Sequence, residues 1–467
     1  MIKIFVAKEF YEEIDWVSYV IFHEFLGLDY RVELFDNQDY FDITIGKNKV
    51  SIKNIFLLNA RSKWLSKGSL PNQEIKFIKL SDFFSYSFFN EQLPIFFGKS
   101  NISRSQNNLT LDFDILGTIF FLLSGYEDAI KEDEDKHNRH KFCNSILSNF
   151  NLIDRPVVDE YVDLLWKILF DFEPSLKKKD SSLKLSISCD VDNPYSEHVN
   201  SFRASIRKLF GDVIKRKSLF MGFETILNFV MSKFSINYFD PLDKFNWMMK
   251  INEKLGNRIT FFFITMKSNK EMDGHYSINE KRIRKLLKEI HNRGHEIGLH
   301  SSYNSYLDSS QLLAEKMKLQ DIFSEEGIYQ SSIGNRQHYL KLSSLKTFGY
   351  LDSAGISYDS SICFAERIGF RCGTAKIFTM FDLTERKKLN ILQKPLLIME
   401  DSILGEDYMA MKDQKKIIDQ IMLLKKGVDY FGGEFTLLWH NSSLNSKYLR
   451  DLYVSVLELF QTQRSRD

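Results

Sequence analysis

The feature that most limits what this chain can fold into is an alternation of strand-like and helix-like segments through its C-terminal two-thirds. It begins at 183-LKLSISCDVD-192, where apolar Leu183, Leu185, Ile187 and Cys189 alternate with polar residues as in a half-buried strand. A helical pattern over 243–256, the strand 258-RITFFFIT-265, a helical pattern over 280–294 and the strand 295-HEIGLH-300 follow. The alternation continues through 395-PLLIME-400 and a helical pattern over 414–433 to 434-EFTLLWH-440. Repeated β-then-α units with apolar strands specify parallel strands covered by helices, hence an α/β barrel or an open doubly wound sheet. In either case the chemistry belongs at the C-terminal ends of the strands.

The first part of the chain, to about residue 175, reads differently. Strand-like runs (2-IKIFVA-7, 42-DITIG-46, 75-IKFIKL-80) are mixed with helical patterns over 116–130 and 157–172. Between those helices the charge run 127–141, holding His137 and His140, reads as a solvated loop. The segment 174-PSLKKKDSSLK-184 has linker composition. With 467 residues, two domains are expected: an N-terminal α/β domain over 1–175 and a second over 176–467. The second carries a helical insertion near 200–240 that is basic in its first half.

Composition removes several function classes. A net charge of +1 supplies no overall field for nucleic acid or an anionic membrane, and no nucleic-acid partner is expected. The N-terminal stretch scatters charges among its apolar residues and does not read as a secretory signal. The run 115-ILGTIFFLLSG-125 is too short to span a bilayer, so no transmembrane segment is expected. Cys143, Cys189, Cys363 and Cys372 form no CxxC pair, which argues against a disulfide framework or a structural zinc site. A cytoplasmic protein with reduced thiols is the expectation.

The strand-end rule then picks out Asp190 and Asp192 after the first strand of the second domain, His300 after a later one and His440 after the last. Side chains alternate along an extended strand, so Asp190 and Asp192 share a face if the strand runs through them. Two carboxylates that close repel unless a cation lies between them or one holds a proton. Metal-assisted hydrolysis needs such a set: oxygen and imidazole ligands, a carboxylate base and an acid for the leaving group.

These residues stand in motifs that resemble the polysaccharide deacetylases, the carbohydrate esterase family with the nodulation-protein homology domain. The matching stretches are 188-SCDVDNP-194, 259-ITFFFIT-265, 294-GHEIGLHS-301, 335-NRQHYLKL-342 and 436-TLLWHN-441, in order over about residues 180–445. The resemblance implies an irregular (β/α) barrel, a divalent metal, commonly zinc, and removal of N- or O-acetyl groups from a sugar or glycan precursor. It assigns the base to Asp190, metal ligands to Asp192 and His300, the residue orienting the base to Arg336, and the proton donor to His440. A longer subgroup, with an N-terminal α/β domain of unknown role, is similar at 298-GLHSSY-303, 336-RQHY-339, 358-YDSSICFAERIGFRCGT-374 and 380-MFDL-383.

Two departures from the family pattern bear on the metal. Where the family places a second histidine four residues after the first, this chain has Asn304, a poor zinc ligand. The third motif lacks its usual proline and presents His338 beside Arg336. The expected ligand set is therefore Asp192, His300 and His338. His295 falls on the opposite strand face from His300 and reads as structural. His275 reads as a loop residue, and Asp359 as one that could orient a neighbour of the site. The basic stretch with Arg203, Arg207, Lys215, Arg216 and Lys217 reads as a solvated face, with peripheral membrane contact the alternative. Two other functions fit the same residues: a glycan-binding or scaffold protein without catalysis, and an amidohydrolase acting on a non-sugar amide.

Overall fold

A computed structural model describes residues 1–71, 74–130, 134–196, 202–210 and 240–461, together with isolated positions between 214 and 230. The chain divides into two compact units. The first comprises Met1–Lys184, Leu340–Leu397 and Leu423–Phe435; the second comprises Leu185–Tyr339, Ile398–Met422 and Thr436–Asp467. Both are mixed α/β. The helical insertion expected near 200–240 lies mostly outside the described residues, although the helix Phe202–Phe210 within it is described. Among the described residues no helix is long and apolar enough to cross a membrane.

The first unit holds a six-stranded sheet in the order Tyr30–Leu34, Ile2–Val6, Tyr40–Ile45, Asn48–Lys53, Asn108–Phe113, Gly98–Ser105. Burial alternates along Ile2–Val6 and Tyr40–Ile45, as the sequence pattern requires of strands with one covered face. The apolar run at 115 forms Ile115–Leu123, buried throughout and capped by Asp114, whose carboxylate accepts from the Gly117 N–H at 2.6 Å. The helix expected over 116–130 breaks at Gly125, in the left-handed region at φ +67°, and resumes as Tyr126–Ile130. Much of the core is aromatic. Phe56 packs against Phe97, Phe120, Phe121 and Tyr126 with ring centroids 4.9–6.0 Å apart.

The second unit carries the strands that matter for function. Gly334–Gln337, Glu296–Ser301, Ile259–Phe263 and Leu183–Val191 lie side by side in that order, all parallel. Gly433–Leu438 follows Leu183–Val191, and Ile398–Met399 pairs with it in parallel. This is the parallel α/β arrangement that the alternation specifies, and one that an irregular (β/α) barrel uses. Phe261, Phe262 and Phe263 are all buried. Among the covering helices, Lys281–Asn292 buries Ile283, Leu286, Leu287 and Ile290, the i, i+3, i+4, i+7 stripe of an amphipathic helix. Helix Ser309–Glu326 is capped by Asp308, which accepts from the Ser310 and Gln311 N–H groups, and it stops at Gly327 with φ +65°.

Candidate metal centre

Parallel strands bring their C-terminal ends to one edge, and the second unit gathers its polar residues there. Asp190 belongs to Leu183–Val191 and Asp192 follows it. Both carboxylates face the His300 ring: His300 Nε2 is 3.1 Å from Asp192 Oδ1 and 3.9 Å from Asp190 Oδ2. Asp190 is buried, and its Oδ1 has no hydrogen-bond partner among the described residues.

His300 lies in Glu296–Ser301, directly across the ladder from Arg336. Its Nδ1 is 2.8 Å from the Arg336 carbonyl, which can only accept, so Nδ1 carries the proton and Nε2 is turned toward Asp192. An imidazole with acceptors at both nitrogens needs either a second proton or a cation at Nε2. Burial favours the neutral ring, but the Asp190 and Asp192 carboxylates outweigh it and hold the His300 pKa above its ordinary value.

His338 follows Gly334–Gln337, and the chain turns behind it through Tyr339 at φ +59° and ψ +16°. A left-handed tyrosine costs about 1–3 kcal/mol, the kind of strain that persists where a side chain must be aimed. His338 Nδ1 donates to Asp273 Oδ1 at 2.9 Å, and its Nε2 lies 3.5 Å from Asp192 Oδ1. The Nε2 atoms of His300 and His338 thus converge on one carboxylate oxygen. Asp192, His300 and His338 offer ligand atoms that all lie within 4.8 Å of one another.

The opposite oxygen of Asp192 faces His440. His440 Nε2 is 3.7 Å from Asp192 Oδ2, while its Nδ1 is 2.7 Å from Glu400 Oε1, which also accepts the His440 backbone N–H at 2.9 Å. Burial alone would lower the His440 pKa; Glu400 first, then Asp192 and Asp190, push it up to about 10. Burial likewise works against ionised Asp192, yet the hydrogen bond from His300 and the rings of His338 and His440 hold its carboxyl well below the usual carboxylate range.

Arg336 is buried beneath this group. Its Nη1 is 3.6 Å from Asp190 Oδ2, its Nη2 donates to Ser188 Oγ at 3.2 Å, and its guanidinium lies 5.2 Å from the Phe262 ring centroid. Gly298 makes room for that ring, since a Cβ there would collide with Phe262.

The donor set fits a divalent metal. One carboxylate oxygen and two imidazole Nε2 atoms converge, and each imidazole is oriented through Nδ1 by an acceptor, the usual support for histidine ligands. Asn304 is engaged elsewhere. Its backbone N–H donates to Ser268 Oγ at 2.8 Å and its side-chain amide to the Ser268 carbonyl at 3.3 Å.

Two residues that sequence reasoning passes over complete the centre. Asp273 is fully buried and, besides His338, accepts the backbone N–H groups of Ser268, Asn269 and Tyr303 at 2.7–2.8 Å. The following Gly274 sits at φ +52°, where a Cβ would strike the Asp192 carbonyl oxygen. Glu400, equally buried, ends the run PLLIME, and the strand-end rule that selects Asp190 applies to it as well.

The remaining candidates show other contacts. His295 accepts the Ile259 N–H at 3.1 Å and faces Glu253 at 3.2 Å, a structural arrangement. His275 is exposed. Asp359 binds the N–H and hydroxyl of Ser361 at 2.8 and 2.7 Å. In the first unit, His140 corrects the expectation of a solvated loop: it is buried, 3.5 Å from Asp128, with its ring centroid 6.3 Å from that of Phe364. That apolar neighbour comes from a distant part of the chain. Lys215, Arg216 and Lys217 lie outside the described residues.

Comparison with known proteins adds the following. Residues 2–174 match a family model described as a family of unknown function (DUF7033). No curated protein matches the chain. Among solved structures, a provisionally assigned polysaccharide deacetylase from Mycobacterium smegmatis is similar at 13% identity and a TM-score of 0.38, over 61% of this chain and 86% of that one.

Proposed function

We propose that the protein is a metal-dependent hydrolase that removes acetyl groups from a sugar or glycan precursor. The observation that carries the reading is the division of labour around Asp192: two oriented imidazoles on one oxygen, and the His440–Glu400 pair on the other. The sugar and the acetyl group come from the motif resemblance, residue by residue.

A divalent metal bound by Asp192, His300 and His338, zinc by donor type, would supply Lewis acidity toward water and the acyl oxygen. Asp190 takes a proton from the attacking water. Its buried Oδ1 has no hydrogen-bond partner among the described residues, and Arg336 Nη1 lies 3.6 Å from its Oδ2. His440 Nε2, protonated through the neutral range, gives a proton to the departing amine or alcohol, and Glu400 holds the ring by Nδ1.

The experiment is acetate release from a panel of N- and O-acetylated sugars and non-sugar amides, run with wild type and Asp190→Asn at matched metal content. Release from sugars by wild type, with a loss of about 100-fold or more in the variant, is the expected result. Release only from non-sugar amides would replace the sugar reading, and full activity in Asp190→Asn would remove Asp190 from the mechanism.

A further inference from the structure

The first unit holds a cleft of about 340 Å³ lined wholly by its own residues. Small-molecule sites usually measure about 300–1,000 Å³. One wall is the face of helix Val157–Phe172 that carries Asp159, Asp163, Trp166 and Lys167. Another part is the stretch 178-KKDS-181, inside the segment whose composition reads as a linker. That segment is no free tether. The Lys179 backbone N–H donates to the Leu26 carbonyl at 2.8 Å, and a Cβ on Gly27, at φ +66°, would come within 2.9 Å of Lys179 Cβ. Two residues on, any side chain on Gly432, at φ +73°, would overlap Ser181. The backbone carrying Lys178 is thus packed against the first unit.

Charge in the cleft is unevenly matched, with four lysines against three aspartates. Lys167 pairs with Asp163 at 2.6 Å and Lys376 with Asp159 at 2.9 Å. Asp159 also accepts the Thr374 hydroxyl at 2.9 Å. Lys178 has neither a hydrogen bond nor an ion pair among the described residues, and its Nζ lies 5.5 Å from the Trp166 ring centroid. Partial burial lowers its pKa below the ordinary lysine value; Asp163 works the other way, and Lys376 and Lys167 add to the lowering. A cation held at an indole without a carboxylate of its own is suited to a ligand's oxyanion. Around it, Trp166 and the half-exposed Tyr430 offer apolar surface, while Asp163, Asp180 and Ser181 offer partners for hydroxyl groups. We propose that this cleft binds an acidic sugar, one bearing a carboxylate or a phosphate, with Lys178 as the partner of its oxyanion. The site lies wholly in the first unit and does not rest on the hydrolase reading.

Calorimetric titration of the full-length protein with glucuronate, glucose 6-phosphate, glucose and inorganic phosphate tests this. At least one of the two acidic sugars should bind with a dissociation constant below about 1 mM, and which one binds tells carboxylate from phosphate recognition. Glucose and inorganic phosphate should each bind about tenfold or more weakly than that sugar. Lys178→Gln, and separately Trp166→Ala, should weaken its binding about tenfold with an unchanged melting profile. Lys178 faces solvent at the edge of the cleft, so its variant remains informative if Trp166→Ala fails to fold. Absence of binding by both acidic sugars, or binding undiminished in Lys178→Gln, would overturn the inference. So would glucose or inorganic phosphate binding as tightly as the acidic sugar.

Discussion

Two imidazoles in the second unit are built alike and placed for different roles. His338 and His440 each turn Nε2 toward Asp192 and donate from Nδ1 to a buried carboxylate, Asp273 and Glu400 respectively. The carboxylates differ. Asp273 also accepts three backbone N–H groups. Burial works against its charge, but His338 and those N–H groups outweigh it and hold its carboxyl below the usual range. Among the described residues Glu400 accepts only the ring and backbone N–H of His440, and its Oε2 has no hydrogen-bond partner there. A carboxylate whose charge is already spread over backbone donors mainly orients its imidazole. One left to a single imidazole keeps that ring protonated. The proposed function accordingly gives the first dyad the part of metal ligand and the second that of proton donor.

Substitution at each carboxylate can break this contrast. Glu400→Gln should lower turnover by about 100-fold or more while metal content stays at the wild-type level. His440 is protonated up to about 10 chiefly because of Glu400, so the variant's alkaline limb should move to lower pH. A pH–rate profile beside metal analysis checks both, and an unmoved limb would separate Glu400 from the donor role. Asp273→Asn should do the reverse, weakening metal binding by about 10- to 100-fold in a calorimetric zinc titration, with the alkaline limb in place at saturating metal.

A third buried carboxylate sharpens the comparison by lacking an imidazole altogether. Glu315 accepts the Ser302 backbone N–H at 3.1 Å and the side-chain amide of Gln311 at 2.8 Å. Burial pushes its pKa up to about 7, with those donors offsetting only part of the effect. Between its ordinary value near 4.5 and 7, the folded protein keeps a proton that the unfolded chain has released. Stability therefore falls as pH rises through that window, by about 3 kcal/mol at most. Glu315→Gln should flatten this slope in urea melts of metal-free protein at about pH 5 and about pH 8. An unchanged slope would place the titration elsewhere.

Much of this centre is legible because strands obey a simple rule. Alternation in 183-LKLSISCDVD-192 locates a strand, and the polarity of its end locates Asp190 and Asp192. His300 and His440 follow in the same way. Arg336 and His338 carry no such local signal and are readable only through motif resemblance. Asp273 escapes notice because its partner stands 65 residues away in sequence, and a lone acid reads as surface until folding brings an imidazole to it; Glu400 ends an apolar strand-like run, and only its pairing with an imidazole 40 residues away is hidden. The first unit shows the same limit. Its alternating strands are readable, but the break at Gly125 depends on a left-handed turn, and the burial of His140 beside Phe364 depends on a distant segment.

His338 is proposed to fill the ligand position that Asn304 leaves open. Metal content of purified wild type, His338→Ala and Asn304→Ala, measured by elemental analysis after identical dialysis, tests it most directly. About one equivalent of divalent metal is expected in wild type and in Asn304→Ala, and a loss of about tenfold or more in His338→Ala. Full occupancy in His338→Ala would contradict it.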